Sequence, residues 1–414
     1  MLMRTTTTIT TADHMVAQNR REFLKGGAAF IGGASLAGAA AYVTSKEDAG
    51  SPDVTAWGGD VLPFHGEHQS GVETLPQAFS SFQAFDLRPG VDREAVGRLM
   101  RLWTDDAARL TEGAAALADD EPELAQNPAR LTVTFGFGPT LFGTLGLERE
   151  RPAGLTEIPS LAIDRLQPRW TGGDLLVQIA ADDPLAMSHA TRMLAKDGRS
   201  FVTPRWVQRG FRDARGAVPV GSTPRNLLGQ VDGTINPTPG TTDFADVVWS
   251  TDDMPWFRGG TTVVIRRIAM DVDAWDGIDR SSREQVIGRQ LSDGAPLTGG
   301  SDHTPVDLQA VGPDGLTVIA PFAHTRRAHA HEPTERFLRR SYNYDDSPGN
   351  HSVSDVGLIF CAYQADIERQ FLPVQQRLAR FDLLNKWTTP VGSAVFALPP
   401  GCQPGGWIGQ QLLG

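Results

Sequence analysis

The chain has 414 residues, of which 40% are hydrophobic and 21% are charged, and this composition is typical of a globular protein with room for two packed cores. It excludes an intrinsically disordered protein and a coiled coil. The formal net charge is −11. Because phosphate contacts need clustered Lys and Arg, we expect no nucleic-acid partner for so acidic a chain.

The first 44 residues have the pattern of an export signal. Arg20 and Arg21 precede a stretch rich in Gly and Ala at residues 26–43, and this arrangement is typical of a twin-arginine signal. The stretch is close to the minimum length of a membrane span, but its glycines make membrane insertion unfavourable. We therefore predict export by the twin-arginine machinery to a secreted, periplasmic or envelope-associated location, with a membrane anchor as the alternative.

A polar linker is predicted at residues 45–59, and the body that follows it interleaves strands with helices. Apolar and β-branched runs indicate the strands, and amphipathic segments indicate the helices. The predicted strands are Arg130–Phe137, Asp174–Ala180, Thr261–Ile268 and Val356–Tyr363. The predicted helices are Asp92–Leu117, a segment that begins near Pro184, Ser282–Gln290, and a segment after Asp366 that runs to about Leu378.

The two halves of the body follow one plan, in which a buried strand leads through an acidic turn into a helix. This repetition predicts two α+β units of similar topology, with chance similarity as the alternative. The N-terminal unit is placed at residues 60–216 and the C-terminal unit at residues 217–414. The segment Ser292–Pro321 is rich in Gly, Pro and Asp, and we expect it to be a surface excursion.

Asp232 stands between two glycines, Gly229 and Gly233, and is followed by Thr234 and Asn236. An Asp-Gly pair is a common turn signal, so a plain structural turn is one interpretation. The functional interpretation is a carboxylate on a tight backbone that packs closely against a flat ligand. Glycine permits such an approach because it has no Cβ atom.

His324 follows the apolar run VIAPFA and precedes Arg326 and Arg327. A single histidine in this position is either a structural residue or a ligand. His329 and His331 lie nearby in the sequence, so a His-rich metal site is a further alternative.

Two adjacent arginines, Arg339 and Arg340, lie among aromatic residues in the sequence FLRRSYNY. They form either a solvated edge or a pair of which one guanidinium enters a pocket, where it would remain charged. The spacing from His324 favours Arg339.

These elements together resemble the dye-decolorizing peroxidase family, and the export signal matches its twin-arginine subgroup. The resemblance is carried by GQVDG, by a histidine 92 residues after Asp232, by an arginine 15 residues after that histidine, and by the strand sequence GLIF. The sequences FHGEHQSG and GGTTVVIRRIAMDVDAW add to it, and it covers nearly the whole chain after the signal. Ser70 is a departure, because a small apolar residue is expected there.

The resemblance implies two ferredoxin-like units that form a dimeric α+β barrel and hold one haem b per chain, mainly through the C-terminal unit. It implies a haem-dependent peroxidase that reduces hydrogen peroxide and oxidises dyes or other organic electron donors. His324 is then the iron ligand, and its second ring nitrogen needs a hydrogen-bond partner. Asp366 is a candidate for that partner.

On the peroxide side, the resemblance implies that Asp232 and Arg339 are catalytic. Asp232 would move a proton and Arg339 would stabilise negative charge. Residues implied to contact the haem are Gly229, Gly233, Thr234, Asn236, Arg339, Leu358 and Phe360. Candidates for long-range electron transfer at the surface are Trp387, Tyr342 and Tyr344, although packing is the favoured interpretation for each of them.

Two other functions fit parts of this pattern. A haem-handling protein that releases iron from haem or stores haem would show peroxidase activity only incidentally, and it would not need the Asp232–Arg339 pair. A protein of similar barrel fold without haem would be colourless after purification.

Overall fold

The structure, a computed structural model, describes residues 57–219, 221–348 and 354–414. The predicted export signal and most of the predicted linker therefore lie outside the described residues. The last linker residues contact the body, because the Gly58 carbonyl accepts a hydrogen bond of 2.8 Å from the Ala129 amide. Within the described part of the chain, no helix is both long and apolar enough to cross a membrane.

The N-terminal half is a four-stranded antiparallel sheet on which two long helices pack. Its elements are β1 (Phe79–Leu87), α1 (Arg93–Thr111), a 3-10 helix (Pro122–Leu124), β2 (Thr132–Phe137), α2 (Pro139–Thr144), 3-10 helices (Glu148–Glu150 and Pro168–Trp170), β3 (Leu175–Ala181), α3 (Pro184–Gly198) and β4 (Val202–Phe211). The strand order β2-β3-β1-β4 is that of a ferredoxin-like unit. Asp92 and Asp183 cap α1 and α3 by accepting hydrogen bonds from the first turn of each helix.

The C-terminal half repeats this arrangement with the strand order β9-β5-β8-β7. Its elements are α4 (Thr242–Val248), β5 (Thr261–Met270), α5 (Val272–Asp276), α6 (Arg280–Ile287), α7 (His324–Ala328), β6 (Leu338–Arg339), β7 (Tyr342–Asp346), β8 (Asp355–Gln364), a π-helix (Ile367–Phe371), α8 (Leu372–Phe381), a 3-10 helix (Leu383–Lys386), β9 (Thr388–Leu398) and α9 (Gln410–Leu413). The predicted fold class, two ferredoxin-like units, is confirmed.

Two seams join the halves into a closed barrel. β2 meets β9 at Phe137 and Ala397, and β4 meets β7 at Phe211 and Asn343. Closure removes the free strand edges that each half would otherwise expose. The barrel interior is filled by apolar and aromatic side chains that include Phe82, Leu176, Trp206, Tyr363 and Phe396.

Burial on both faces explains why the strands could be recognised in the sequence. Every residue of β2 and β3 is buried, because one face lines the barrel and the other packs under helices. The four predicted strands are confirmed to within two residues at each end. The first predicted helix is too long, since α1 ends at Thr111 and Gly113 follows it with a positive φ of 78°. The segment Ser292–Pro321 contains no helix or strand, as predicted.

α1 and α3 bring two carboxyl groups together away from the barrel. Asp106 on α1 is fully buried, and the carboxyl group of Asp197 on α3 lies close to it. Burial, and then the hydrogen bond and charge of Asp106, raise the pKa of Asp197 to about 7. The pair therefore holds a proton in the folded protein at a pH where an exposed aspartate has lost it.

We expect Asp197→Asn to change how stability depends on pH. Between about pH 4 and pH 7 the folded Asp197 binds more protons than the unfolded one, so native stability falls as the pH rises through this window. An asparagine cannot ionise, so it does not lose stability in this way. The stability of the variant relative to wild type should therefore be greater at about pH 8 than at about pH 5. Thermal unfolding at both pH values measures this change, with the exposed Asp253→Asn as control. Parallel pH profiles for Asp197→Asn and wild type would contradict the expectation.

Candidate active site

His324 is the first residue of α7, and its imidazole is held by a buried carboxylate. Its Nδ1 lies 2.6 Å from Oδ2 of Asp382, whose side chain is 3% exposed. The carboxylate accepts the Nδ1 hydrogen and so leaves Nε2 as the nitrogen available to a ligand. Nε2 makes no hydrogen bond to another described residue, and the His324 side chain is 27% exposed.

Asp382 follows α8 directly and is fixed by the 3-10 turn that begins there. Its Oδ1 accepts a hydrogen bond of 2.9 Å from the Leu384 amide. The Leu383 amide donates to the Phe322 carbonyl at 3.0 Å, which ties this turn to the segment in front of His324. Two backbone segments 58 residues apart are therefore locked together around the imidazole.

Asp366, the candidate partner of His324, is not its partner in the structure. Asp366 lies at the start of the π-helix, where its carboxylate accepts hydrogen bonds from the Glu368 and Arg369 amides. It stabilises the beginning of that helix as an N-cap residue does. The carboxylate that contacts the imidazole is that of Asp382, which follows the C-terminal end of the π-helix and α8.

The charges around His324 act against one another. Burial disfavours the imidazolium, but the charge and hydrogen bond of Asp382 outweigh it and raise the pKa of His324. Arg339 lowers this pKa and Asp232 raises it. Because both charges act on the imidazole, the structure brings His324, Asp232 and Arg339 into one site.

Asp232 and Arg339 form an ion pair. Asp232 Oδ1 lies 2.7 Å from Arg339 Nη1, and both side chains are about one-fifth exposed. Arg340 points to the opposite face of the sheet, where it is buried and donates to Gln77 Oε1 at 2.7 Å. The alternation of side chains along the chain therefore separates the two arginines, and Arg339 is the one at the site.

Asn236 joins the Asp232 segment to β6. Its Nδ2 donates to the Arg339 carbonyl at 2.7 Å, and its Oδ1 accepts from the Arg339 amide at 2.9 Å. The glycines on either side of Asp232 have positive φ angles, 81° at Gly229 and 116° at Gly233. A Cβ atom at Gly229 would meet nothing within 4 Å, so glycine is required there for the backbone conformation.

Of the remaining predicted contact residues, Leu358 lies beside the ion pair. Leu358 lines a small cavity together with Asp232 and Arg339. Phe360, two residues further along β8, is on the same face and packs against Phe371 with ring centroids 6.2 Å apart. Thr234 contributes its carbonyl to a contact of 3.2 Å with His303 Nδ1.

Two alternatives from the sequence are not supported. His329 and His331 are exposed, and the described residues contain no group of three or more side chains placed to hold a metal ion. Tyr342 and Tyr344 are packing residues, as the favoured interpretation predicts, and not surface sites of electron transfer, because both are buried in the barrel interior. Trp387 is half-buried.

Arg289 is a site residue that the sequence did not reveal. Its Nη1 donates to the carbonyls of Gly294 and Asp302 at 2.7 and 2.9 Å. Burial, and then the charge of Arg339, lower its pKa, so the two guanidinium groups lie near each other. The charge of Asp302 raises this pKa in turn, although the two side chains form no ion pair within 4.0 Å among the described residues. The local sequence GRQLSDG does not indicate a functional residue, because only the tertiary fold brings Arg289 to the site.

The fold and the site define a haem peroxidase. A closed α+β barrel carries an imidazole held by a carboxylate, beside a carboxylate that is paired with a guanidinium. This is the donor set that such an enzyme needs, one nitrogen for iron and one charged pair for peroxide.

The chain belongs to the DyP-type peroxidase family. Residues 69–212 match the model described as "Dyp-type peroxidase, N-terminal", and residues 223–403 match "Dyp-type peroxidase, C-terminal". The dye-decolorizing peroxidase of Thermobifida fusca (strain YX) is 36% identical over 421 residues, which cover 95% of this chain and 97% of that protein. A deferrochelatase of Escherichia coli O6:K15:H31 is 34% identical, with the same coverage of 95% and 97%.

A solved structure gives the same result. The crystal structure of a DyP-type peroxidase from Cellulomonas bogoriensis is similar to this chain with a TM-score of 0.84 and 50% sequence identity. The similarity covers 87% of this chain and 99% of that one. Proteins of this family bind haem, and the enzyme is therefore a haem-dependent oxidoreductase that acts on peroxide.

The residues present fit a haem. Nε2 of His324 is available to iron. Arg289 places a second guanidinium near that of Arg339, which suits a propionate group. Leu358 and Phe360 supply an apolar wall, and the glycine-bearing segment around Asp232 leaves open space beside its backbone.

We expect Asp382→Asn to weaken haem binding by about 10- to 100-fold, the range typical of residues that orient a metal ligand. The amide cannot match the carboxylate in holding the imidazole or in raising its basicity. Haem titration followed by absorption measures the affinity, and His324→Ala gives the value for complete loss of the ligand. Asp366→Asn is the matched control and should bind haem like wild type. A larger loss in the control than in Asp382→Asn would contradict the assignment.

Proposed function

We propose that His324 ligates the iron of one haem b per chain through Nε2, with Asp382 as its hydrogen-bond partner. The main support for this proposal is the 2.6 Å contact between His324 Nδ1 and Asp382 Oδ2. It orients the ring and raises the electron density on the free nitrogen. Bound haem supplies the redox-active iron at which peroxide is reduced. Arg289 holds a propionate, because haem brings negative charge to a site in which the guanidinium groups of Arg289 and Arg339 lie near each other.

Asp232 moves the proton that peroxide reduction requires. Cleavage of hydrogen peroxide removes a proton from one oxygen and returns a proton to the oxygen that leaves as water. A carboxylate performs both transfers if it is ionised when peroxide arrives. The 2.7 Å ion pair with Arg339 holds this carboxylate beside the cavity. A carboxylate rather than a histidine in this role favours activity at acidic pH.

Arg339 stabilises the negative charge that develops on the leaving oxygen. An arginine side chain keeps its charge in proteins, and Asn236 fixes the Arg339 backbone by donating a hydrogen bond to its carbonyl and accepting one from its amide. The group therefore does not need to reorganise during the reaction, which is the main source of electrostatic catalysis. Leu358 keeps one wall of the cavity apolar.

Dyes and other organic donors are the proposed source of electrons. The cavity beside Asp232 has a volume of about 20 Å³, far too small for a dye, so such donors must be oxidised from outside it. Trp387 is the remaining candidate of the three named from the sequence. It is half-buried, and its ring centroid lies 5.3 Å from that of the buried Trp275.

The haem-handling alternative is less favoured. Release of iron from haem, or storage of haem, gives no reason for a carboxylate–guanidinium pair in a cavity of this size. The relatives that carry the name deferrochelatase belong to the same family as the dye-decolorizing peroxidases, so their similarity does not separate the two functions.

We expect Asp232→Asn and Arg339→Leu to retain haem and to react more slowly with hydrogen peroxide. Loss of a preorganised charge costs about 3–4 kcal/mol, which is roughly a hundred- to thousand-fold in rate. Loss of the proton carrier lowers the rate by about a hundredfold or more. The two effects should not add, because both groups act on one transition state. Stopped-flow absorption after mixing with peroxide measures the rates. Wild-type rates in both variants would overturn the catalytic assignment and favour haem handling.

Export by the twin-arginine route is a separate proposal and rests on Arg20 and Arg21. This route characteristically carries folded proteins, so it suits an enzyme that receives its haem in the cytoplasm. Replacement of both arginines by lysine should leave the precursor inside the cell with haem bound. Cell fractionation with absorption spectra of each fraction measures the outcome. Export of the double variant at the wild-type level would refute the twin-arginine assignment.

A further inference from the structure

The cavity beside Asp232 receives a side chain from each half of the barrel. Arg212 immediately follows β4 in the N-terminal half, and Asn343 belongs to β7 in the C-terminal half; both line the cavity together with Asp232 and Arg339. The β4–β7 seam, where Phe211 pairs with Asn343, brings them together. The volume of about 20 Å³ is enough for one small molecule, since a water needs about 10–15 Å³ by the same measure.

Arg212 brings a cation whose donors are not used inside the described protein. Its backbone amide is fixed by the Ala78 carbonyl at 2.8 Å, and its guanidinium lies 5.6 Å from the centre of the Tyr342 ring. It has no carboxylate within 4.0 Å and no side-chain hydrogen bond among the described residues. Burial and the nearby charge of Arg340 lower the pKa of Arg212, whereas Tyr342 and Asp232 raise it. An arginine stays protonated under such conditions.

Asn343 brings an acceptor that also lacks a partner. The residue is 8% exposed, and its Nδ2 donates to the Arg225 carbonyl at 3.1 Å. Its Oδ1 has no hydrogen-bond partner. A buried acceptor without a donor is unfavourable and rare in folded proteins, so this oxygen is suited to a ligand that carries a hydrogen.

We propose that Arg212 and Asn343 form a capture subsite that binds hydrogen peroxide next to Asp232 before it reacts. One peroxide O–H donates to Asn343 Oδ1, and a peroxide oxygen accepts from the Arg212 guanidinium. Arg212 and Asn343 are thus specificity-determining residues for a small neutral molecule that both donates and accepts. A small anion satisfies Arg212 but offers no hydrogen to Asn343, and the carboxylate of Asp232 repels it.

The subsite rests on the proposed function, because captured peroxide is passed to the Asp232–Arg339 pair. It adds a binding step to that function. Loss of the subsite therefore weakens peroxide binding and leaves the chemical step unchanged, whereas loss of Asp232 slows the chemical step itself. This difference allows the two proposals to be tested separately.

The test uses the haem-bound protein and the variants Arg212→Met and Asn343→Leu, made in an Asp232→Asn background that slows the chemical step. Stopped-flow rates measured against peroxide concentration then give an apparent dissociation constant and a limiting rate. We expect each variant to raise the dissociation constant about tenfold and to leave the limiting rate unchanged. Arg215→Met is the matched control, because Arg215 pairs with Asp60 and is not among the residues that line the cavity.

A second measurement does not depend on turnover. Hydrogen cyanide is small, is neutral near neutral pH, and both donates and accepts a hydrogen bond, whereas azide is mainly anionic. In the otherwise wild-type protein, both variants should slow cyanide association with the haem about tenfold, and Asn343→Leu should leave azide association unchanged. Equal slowing of both ligands by Asn343→Leu would show a general obstruction and overturn the subsite.

Two further results would overturn the proposal while leaving the proposed function intact. Loss of haem from Arg212→Met would assign Arg212 to the cofactor instead. Wild-type peroxide dissociation constants in both variants would show that the cavity holds only water. If Asp232→Asn and Arg339→Leu alone also react at wild-type rates, the proposed function fails as well.

Discussion

Closure of the barrel is the constraint on which the site depends. Each four-stranded half has two edge strands, and each edge is covered only by the other half. At the β4–β7 seam this requirement brings Arg212 of the first half against Asn343 of the second. The imidazole and the ion pair come from the C-terminal half alone. The isolated C-terminal half would therefore keep these groups but lose the wall of the cavity that Arg212 of the N-terminal half supplies.

Two carboxylates of the site have similar contacts and opposite tasks. Asp382 lies 2.6 Å from a histidine nitrogen and makes that ring a better electron donor. Asp232 lies 2.7 Å from the guanidinium of Arg339, and its proposed role is to carry a proton between the two oxygens of peroxide. The residue that each carboxylate contacts therefore decides what the carboxylate does. The charge of Arg339 acts on Asp232 and also on His324, because it opposes protonation of the imidazole.

The sequence was informative where burial is continuous or where residues lie close together in the chain. Strands such as β2 and β3 could be recognised because both of their faces are buried. Asp382 could not be recognised, because it is 58 residues from His324 and only the packing of α8 brings it back. Arg212 and Arg289 lie in polar turns whose local sequence resembles any surface loop. The burial of Tyr342 and Tyr344 follows from their strand alternation, which an aromatic-rich run conceals.

The two hydrogen bonds between Asn236 and the Arg339 backbone bear on how far the length of the chain between them can vary. A single side-chain amide reproduces the paired hydrogen bonds of two neighbouring strands and pins residues 103 positions apart. The helices α4 to α6 and the excursion Ser292–Pro321 lie between these two points. Insertions or deletions in the part of the excursion beyond Asp302 and His303, which contact Arg289 and Thr234, therefore change the outline of the protein while Asn236 keeps the Asp232 segment beside Arg339.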